Sequence, residues 1–278
     1  MFLDQSAMAL IQKRTSVRTY EKRPVEPEKL EMLRGFFETA CENPFDAKVR
    51  FDIVEGGSGK LGTYGFIKGA KTFFAGCVKK GGYDIEGFGY AFEKVVLYAT
   101  ALGLGTCWLG GTFKRASFTA LIKPDKDELM PAISPLGYAA QKKTLTEKMV
   151  AAGAGARKRK RFGELFFDGS VKTPLFIDEG LLKTCLEMVR IGPSASNKQP
   201  WRVIRSGDAL HFYLASDKHY AGNTMYGFAM QRIDMGIAAC HFELAATELG
   251  LGGGIVFDEA QIAADAKADG WSYSFSWR

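Results

Sequence analysis

The sequence predicts an α+β fold made of two homologous halves, residues 1–160 and 161–278. Three observations support this prediction. The composition is that of a globular protein, with 46% apolar and 13% aromatic residues among 278. Segments with helical periodicity are interspersed with short strand-like runs. The order of helix, proline, strand and glycine-terminated helix occurs twice, which indicates an internal repeat.

The repeat is clearest in two Ala/Leu-rich segments that end in glycine. Residues 91–105 (AFEKVVLYATALGLG) align with residues 238–252 at an offset of 147, and eight of the fifteen positions are identical. A second match pairs residues 30–44 with residues 179–193, each an apolar helical segment that ends at a proline. Because the two matches have nearly the same offset, we interpret the chain as a duplicated unit.

The predicted elements follow from this repeat and from local periodicity. In the first half, apolar residues at helical spacing and short strand-like runs predict helices at 4–13, 27–41, 88–103 and 115–122 and strands at 49–55, 71–78 and 133–138. In the second half, the same criteria predict helices at 179–190 and 229–249 and strands at 201–205, 210–215 and 254–257.

Charge, cysteine content and the N-terminal segment restrict the class of protein. The excess of 37 basic over 31 acidic residues gives a net charge of +6, which suits an anionic ligand but does not by itself indicate nucleic acid. The five cysteines include no CxxC pair, so neither a disulfide framework nor a zinc site is expected. The N-terminus has an early Asp4 and no long apolar run, unlike a signal peptide. We therefore expect a cytoplasmic protein.

One uncharged stretch, residues 95–113, is long enough to cross a membrane. It contains four glycines, and a helix followed by a glycine loop explains it better than a membrane span. We therefore expect no membrane partner.

The segment RTSVR, residues 14–18, is the first candidate for ligand binding. Two arginines four residues apart, with a serine between them, can converge on a phosphate, because guanidinium groups and hydroxyls both donate to its oxygens. The alternative is that these side chains are solvated near the end of a helix.

The second candidate is the segment PSASNKQPW, residues 193–201. Two prolines restrain its backbone, and Ser194, Asn197 and Gln199 present hydrogen-bonding groups in a fixed order. Such a loop can line a planar polar heterocycle. Alternatively, it is a polar turn that leads into a strand, with Trp201 as its anchor in the core.

These two segments together resemble the paired signature of the FMN-dependent nitroreductase family. A third segment, residues 101–111 (ALGLGTCWLGG), resembles the mid-chain motif of that family, in which a helix ends in a glycine-containing loop along the flavin. The three segments occur in family order, and the resemblance covers most of the chain. It implies a nitroreductase-like fold, bound FMN and reduction by NAD(P)H.

The motifs are divided between the two halves. The first half has RTSVR, but residues 43–48 (NPFDAK) stand where a second polar loop would be. The second half has the loop, but residues 163–171 (GELFFDGSV) stand where a second RxSxR would be. This division resembles the fused, internally duplicated branch of the family. It implies a monomeric, single-chain pseudo-dimer that holds one FMN per chain.

The resemblance assigns roles to particular residues. Arg14 and Ser16 bind the FMN phosphate, and Arg18 lies near the pyrimidine edge, where a cation stabilises the charge of the reduced ring. The backbone N–H groups of Gly110 and Gly111, which follow Leu109, face N5 and O4. The glycine at position 110 is a departure, because many members have a side chain there. The loop lines the ribityl chain and the ring through Pro193, Ser194, Ala195, Asn197 and Gln199.

The basic run RKRKR, residues 157–161, has three interpretations. Adjacent basic residues in an Ala/Gly-rich linker are commonly solvated. In the family, a basic pair near the end of the repeat reaches the phosphate, and Arg157 and Arg159 are the best positional matches. A nucleic-acid patch is the third interpretation, but the chain lacks other basic clusters with interleaved aromatic residues, so we expect no nucleic-acid partner.

The resemblance thus implies an FMN-dependent oxidoreductase that uses NAD(P)H to reduce nitroaromatic, quinone or similar small-molecule acceptors by ping-pong hydride transfer through flavin N5. Because the flavin carries this chemistry, no catalytic side chain is assigned, and the histidines lack the spacing of a metal site. The acceptor pocket is expected near residues 220–228 or 81–88. Two alternatives stay open: a flavin-binding storage or sensor protein without turnover, and a nucleic-acid-associated module.

Overall fold

The computed structural model describes residues 5–56, 61–141, 158–217, 227–258 and 263–278. Contacts within the chain divide these residues into two units. The first contains Gln5 and residues 13–141, and the second contains residues 6–12 together with the described residues from 158 onward. The predicted halves, 1–160 and 161–278, therefore differ from the units at the N-terminus and at residues 158–160, which are grouped with the second unit. There, most of helix α1 (Ala7–Lys13) is grouped with the second unit.

Helix α1 belongs with the second unit because of its contacts to Glu248. Ser6 Oγ donates to Glu248 Oε1 at 2.5 Å, and the backbone N–H of Met8 donates to Oε2 at 3.1 Å. Ser6 also caps the helix, since its Oγ accepts from the N–H of Ala9 at 3.1 Å. Contacts to a residue so distant in the sequence leave no signal in the local pattern of α1.

The first unit is built around one long buried helix and a five-stranded sheet. Its elements in chain order are α2 (Pro27–Cys41), β1 (Val49–Glu55), β2 (Thr72–Lys79), α3 (Asp84–Ala101), β3 (Gly105–Thr106), α4 (Arg115–Ile122), β4 (Glu128–Leu129) and β5 (Ile133–Gly137). The sheet order is β1-β2-β5-β3, and β4 pairs with β2. Helix α3 is buried on every side from Asp84 to Thr100, so it forms the centre of this unit.

The second unit also combines a long buried helix with a five-stranded sheet. Its further elements are β6 (Phe166–Asp168), α5 (Leu181–Arg190), β7 (Trp201–Ser206), β8 (Ala209–Leu214), α6 (Gln231–Leu249), β9 (Ile255–Val256), α7 (Ala263–Ala268) and β10 (Ser272–Trp277). The sheet order is β6-β7-β8-β10-β9, with β6 parallel to β7 and the other pairs antiparallel.

The two units share an element order and a sheet path. In each, a helix precedes two paired strands, a long helix, a short strand, a shorter helix and a final strand. The path β1-β2-β5-β3 corresponds to β7-β8-β10-β9, and every pairing along both paths is antiparallel. The predicted mixture of helices and strands is confirmed. The origin of the shared topology in a duplication stays a prediction.

The long helices of the two units end in the same way. Gly103 and Gly250 both adopt left-handed conformations, with φ of 76° and 70°. The next residue, Leu104 or Leu251, donates its N–H back to the carbonyl of Ala99 or Ala246, at 2.9 and 2.8 Å. This is the hydrogen bond of a Schellman motif, which favours glycine at the left-handed position. Each of these residues is matched to its counterpart by the sequence offset of 147. The helix and glycine turn predicted within residues 95–113 are thus confirmed.

Some elements differ from the sequence prediction. Helix α3 begins at Asp84 rather than 88, although Gly87 and Gly89 lower its intrinsic helix propensity. The short strands β3, β4 and β6, helix α7 and the C-terminal strand β10 were not predicted. Strand β10 pairs with β8 (Tyr273 opposite Tyr213), so its formation depends on residues about sixty positions earlier in the chain.

Candidate functional site

The segment RTSVR lies beside β3 in the first unit. Ser16 forms a parallel bridge with Thr106, and the N–H of Val17 donates to the carbonyl of Thr106 at 2.8 Å. Gly105 permits this approach, because a Cβ at that position would lie 2.8 Å from Cγ2 of Val17. The structure therefore brings the arginine–serine segment next to the start of the mid-chain motif, two segments that the sequence analysis assigned to the same ligand.

Arg14 is buried against an acidic residue of α3. Its side chain exposes 7% of its surface, and its Nε lies 3.8 Å from Oε1 of Glu93, which is fully buried. This distance is too long for a hydrogen bond. Among the described residues, the buried Nε of Arg14 has no hydrogen-bond partner. A buried cation with an unsatisfied donor is a feature that an anionic ligand can complete.

The other predicted residues of RTSVR lie on the same extended stretch. Ser16 and Arg18 are half-buried, and the carbonyl of Arg18 accepts from the N–H of Lys68 at 2.9 Å. Backbone pairing on successive residues therefore fixes the course of this segment, whereas the sequence alternative placed its side chains in solvent. The structure places all three predicted residues, Arg14, Ser16 and Arg18, away from full exposure.

The mid-chain motif is held by contacts on both sides of Leu109. Leu109 is buried, and its N–H and carbonyl exchange hydrogen bonds of 3.0 Å with Ile133. The indole Nε1 of Trp108 donates to Oε2 of Glu93 at 2.7 Å. The carbonyl of Gly110 accepts from Arg115 Nη2 at 2.9 Å. Gly111 is exposed at the end of this segment.

The polar loop of the second unit has an unusual backbone. Residues Ala195–Asn197 form a 3-10 turn, and Ser196, Asn197 and Gln199 have φ of 47°, 54° and 49°. Ser194 stabilises the turn, because its carbonyl accepts from the N–H of Asn197 and its Oγ accepts from the N–H of Gln199, both at 2.9 Å. Left-handed conformations at non-glycine residues cost about 1–3 kcal/mol each and persist where surrounding contacts hold them.

The start of the second unit supplies some of those contacts. Arg159 Nη1 donates to Oδ1 of Asn197 at 2.6 Å, and its Nη2 donates to the carbonyl of Ile191 at 3.0 Å. Asn197 Nδ2 donates in turn to the carbonyl of Lys158 at 2.8 Å. Arg159 is therefore tied to the predicted flavin loop rather than solvated. Arg157, the other predicted phosphate contact of the basic run, lies outside the described residues.

Gln199 also links the polar loop to the basic run. It is 3% exposed, and its Oε1 accepts from the N–H of Lys160 at 2.8 Å. Burial and the nearby cation of Arg202 lower the pKa of Lys160 to about 8, although Glu164 and Asp217 act in the opposite direction. Burial also lowers the pKa of Arg202. The loop is therefore bordered by partly desolvated cations, an environment that favours an anionic ligand.

A buried acid that the sequence analysis did not identify anchors the same loop. Asp234 on α6 is 2% exposed, and both of its carboxylate oxygens accept from the N–H of Ala195, at 3.0 and 3.2 Å. Burial raises the pKa of Asp234 well above its ordinary value, and the Ala195 hydrogen bond opposes this effect. The position that aligns with Asp234 in the first unit is Gly87, where a Cβ would lie 2.3 Å from that of Ala47.

Glu93 was missed for the same reason as Asp234. Each is one of three acids in its helix, and acids at such positions are also typical of a solvated helix face. The available signal was the repeat alignment, which places Cys240 opposite Glu93 and Gly87 opposite Asp234. Aligned positions that differ in this way are candidates for a role in one unit alone.

Neither a metal cluster nor a membrane-spanning helix is found in the described part of the chain. No three His, Cys, Asp or Glu side chains gather there as metal ligands would. No helix there combines the length and apolar character needed to cross a bilayer. His241 is fully buried on α6, and its Nδ1 lies 2.9 Å from the carbonyl of Met188, so it is a packed histidine. Of the two predicted acceptor regions, residues 220–226 lie outside the described residues, and residues 84–88 are buried within α3.

The fold is a mixed α+β fold of two units. The first unit contains the arginine–serine segment, and the second contains the constrained polar loop. The chain belongs to the nitroreductase family. Residues 6–246 match the family model described as "Putative TM nitroreductase".

Solved structures of nitroreductases resemble this chain. A "putative nitroreductase" from Thermotoga maritima is similar over 98% of this chain and 93% of its own, with a TM-score of 0.61 and 20% identity, a likeness of fold. An "FMN-dependent Nitroreductase" from Clostridium difficile matches 49% of this chain and 88% of its own, at 23% identity and a TM-score of 0.41. A "putative nitroreductase in complex with FMN" from Desulfovibrio desulfuricans matches 52% and 95%, at 21% identity and a TM-score of 0.41. A comparison with curated proteins gave no match.

Proposed function

We propose that this chain binds FMN and uses it to pass electrons from NAD(P)H to a small-molecule acceptor. The observation that carries the proposal is the buried guanidinium of Arg14, whose Nε has no hydrogen-bond partner among the described residues and which lies on the same segment as the half-buried Ser16. Arginine and serine donors suit the oxygens of a phosphate monoester, which is the charged group of FMN. The residues present therefore fit this cofactor.

The proposal gives each predicted residue a binding role. Arg14 and Ser16 hold the phosphate, with Arg157 and Arg159 as further cations, and Arg18 stabilises negative charge at the pyrimidine edge of the ring. The backbone N–H groups of Gly110 and Gly111 donate to the ring, and Leu109, whose own N–H is bonded to Ile133, holds this segment beside it. The polar loop, through Pro193, Ser194, Ala195, Asn197 and Gln199, lines the ribityl chain and the ring.

The hydrogen bonds of the loop refine two of these roles. Asn197 and Gln199 donate to and accept from Arg159, Lys158 and Lys160 within the protein. We therefore propose that these two side chains fix the shape of the loop, and that the loop backbone makes the closer approach to the flavin. This arrangement orients the ligand without any acid–base side chain.

When bound, FMN supplies the redox chemistry: two electrons are taken up as hydride at N5 from NAD(P)H and delivered to a nitroaromatic, quinone or similar acceptor in a ping-pong sequence. We propose one FMN per chain and a monomeric pseudo-dimer. The five cysteines all have free thiols, which supports a reducing, cytoplasmic location.

The test is an absorption spectrum of the purified protein with FMN quantified per chain, followed by anaerobic addition of NADH or NADPH. Flavin bands at one FMN per chain that bleach with a nicotinamide support the proposal. Flavin that binds but stays oxidised indicates a storage or sensor protein. If no flavin binds after reconstitution, the cofactor assignment is wrong. Sedimentation of the flavin-loaded protein tests the assembly, because an obligate dimer contradicts the monomeric pseudo-dimer.

A further inference from the structure

Glu93 connects two of the segments assigned to FMN. It lies within α3 and is fully buried. Its Oε2 accepts from the indole of Trp108 at 2.7 Å, and its Oε1 lies 3.8 Å from Nε of Arg14. Trp108 belongs to the mid-chain motif and Arg14 to RTSVR. A single buried carboxylate therefore contacts one residue from each segment.

The energetics of burial make Arg14 and Glu93 depend on each other. A carboxylate without water is stable only where opposite charge and hydrogen bonds compensate its lost hydration. Arg14 supplies the charge and Trp108 supplies the hydrogen bond. In the same way, Arg14 can keep its guanidinium at 7% exposure because Glu93 neutralises it.

The guanidinium of Arg14 has one nitrogen near Glu93 and two others that can bind a ligand. Glu93 is nearest to Nε, the nitrogen closest to the side-chain stem. The two Nη groups form the distal end of the guanidinium fork, which is the end that matches two oxygens of a phosphate. Glu93 can thus orient the guanidinium by ionic attraction, at a distance that leaves the N–H donors of Arg14 for the oxygens of a ligand.

The repeat provides an internal comparison. Cys240 aligns with Glu93 on the long helix of the second unit, and the sequence of that half lacks both RxSxR and the mid-chain tryptophan. The acid therefore occurs in the copy whose sequence also has its two partners. This co-occurrence is expected if Glu93 serves the ligand segments.

We propose that Glu93 is a positioning residue for phosphate recognition, which holds the guanidinium of Arg14 in the orientation that selects FMN over riboflavin. This inference rests on the proposed function. It adds a specific mechanism, in which the acid acts through Arg14 rather than by touching the flavin.

The experiment compares FMN and riboflavin, which share the ring and ribityl chain and differ in the phosphate. Apoprotein is titrated with each flavin, and binding is followed by quenching of flavin fluorescence. For Glu93→Gln, we expect FMN affinity to fall about 10-fold, the loss of roughly one charge-assisted contact, while riboflavin affinity stays within about 2-fold of the wild type. The quantity that decides is the ratio of the two affinities.

Glu128→Gln is the matched control. Glu128 is also a buried acid of the first unit, paired with Arg50 at 2.6 Å, but it belongs to β4 and contacts no predicted flavin segment. Its substitution removes a shorter, hydrogen-bonded ion pair of the same unit, so it reports the general effect of such a loss on flavin binding. We expect the FMN-to-riboflavin ratio to be unchanged.

A double variant shows whether Glu93 acts through Arg14. If it does, adding Glu93→Gln to Arg14→Ala changes the FMN-to-riboflavin ratio no further, because the group that Glu93 orients is already gone. The double variant also leaves no unpaired buried charge. Glu93→Asp retains the charge with a shorter side chain and is expected to restore part of the ratio, which provides a measurement if Glu93→Gln folds poorly.

The outcomes separate the two proposals. Equal losses for FMN and riboflavin, or no loss for either, overturn the positioning role of Glu93 while flavin binding stands. Additive effects in the double variant also overturn it. If the wild-type protein binds neither flavin, the proposed function is wrong, and the role of Glu93 falls with it.

Discussion

The N–H of Ala195 donates to both carboxylate oxygens of Asp234, at 3.0 and 3.2 Å, between positions 39 residues apart. The donor lies at the start of the 3-10 turn of the polar loop, and the acceptor is on the buried long helix of the same unit. Because Ser196 and Gln199 hold left-handed conformations, the loop depends on such anchors for its shape. Asp234 therefore anchors the polar loop, the segment assigned to the flavin, by hydrogen bonds.

Asp234 gives the protein a pH dependence of known sign. Its pKa is raised in the folded state, so the folded protein binds this proton more tightly than the unfolded chain. The contribution of Asp234 to the free energy of unfolding is therefore greatest below the ordinary carboxyl pKa and falls as the pH rises from there toward the folded-state pKa. Asp234→Asn, which cannot ionise, should remove this decline. Urea unfolding from pH 4.5 to 8 measures it, and parallel profiles for the two proteins would contradict the assignment.

Asp168→Asn is the control for that experiment because its sign is opposite. The Arg205 guanidinium donates to both oxygens of Asp168, at 3.0 and 2.7 Å, and lowers the pKa of that carboxyl. Stability from this exposed pair is present above the ordinary carboxyl pKa and is lost as the pH falls through the folded-state pKa. The difference in the free energy of unfolding between the wild type and Asp168→Asn should therefore stay constant from pH 4.5 to 8 and shrink only below the ordinary carboxyl pKa.

Arg14→Ala should weaken FMN binding by about 10- to 100-fold, the equivalent of one charge-assisted hydrogen bond of roughly 1.5–3 kcal/mol. It should also lower the free energy of unfolding, because Glu93 then stays buried without its cation. Titration calorimetry with FMN and urea unfolding measure the two effects separately. Arg14→Lys keeps the charge and should lose less stability. Unchanged FMN affinity in Arg14→Ala removes the phosphate assignment.

Asn197 and Asn43 allow the two loops to be compared directly. Asn197→Ala breaks the connection to Arg159 and Lys158, so FMN affinity should fall, though by less than in Arg14→Ala. Asn43 makes four hydrogen bonds within its own loop, to Cys41, Phe45 and Ala47. Asn43→Ala should therefore cost about 1–3 kcal/mol of stability with FMN affinity nearly unaltered. A large loss of FMN binding in Asn43→Ala would contradict a single flavin site.

Gly105 and Gly252 occupy aligned positions with different surroundings. A Cβ at Gly105 would lie 2.8 Å from Val17, whereas a Cβ at Gly252 would meet no atom within 4 Å. Gly105→Ala should lower the free energy of unfolding by about 1–3 kcal/mol and displace RTSVR from β3. Gly252→Ala should be neutral or stabilising by less than about 1 kcal/mol. Thermal unfolding checks both, and equal effects would show that the approach of Val17 does not require glycine.

Arg159 and Arg161 test which part of the basic run is functional. Arg159 contacts the polar loop, whereas the side chain of Arg161 is 90% exposed and pairs with Glu164 at 3.4 Å. Arg159→Ala should weaken FMN binding several-fold, and Arg161→Ala should leave it unchanged. The two variants remove the same charge, so equal effects in a fluorescence titration would indicate only long-range attraction. Measurement at two salt concentrations distinguishes that case, because screening reduces it.

The elements in the repeated segments were predicted well because their apolar periodicity and the prolines and glycines at their ends can be read from the sequence. Helix α2 and strand β1 have the predicted bounds, and the glycine turns at Gly103 and Gly250 fall where the alignment places them. The start of α3 was missed because Gly87 and Gly89 weaken the local helical signal, while packing against Ala47 requires glycine at position 87.

The candidate site was only partly predictable. Short motifs identified the residues of RTSVR and of the polar loop, and the structure places them in ordered, hydrogen-bonded segments. The buried acids that hold these segments were not identified, since the partners of Glu93 and Asp234 are known only once the helices are packed. An acidic residue in a helical segment of the sequence does not show whether its side chain contacts solvent, an arginine or a backbone N–H.

The hydrogen bond between Ser6 and Glu248 joins positions 242 residues apart, and this separation affects the order in which the protein folds during synthesis. At ribosomal rates of roughly 5–20 residues per second, Glu248 is synthesised about 10–50 s after Ser6. Synthesis of residues 13–141 finishes roughly halfway through this interval, and from then on they can fold as a unit while α1 has no partner. The first-made helix is therefore among the last to reach its native contacts. A fragment that begins at residue 158 lacks this helix and should regain it only when a peptide covering residues 5–13 is supplied.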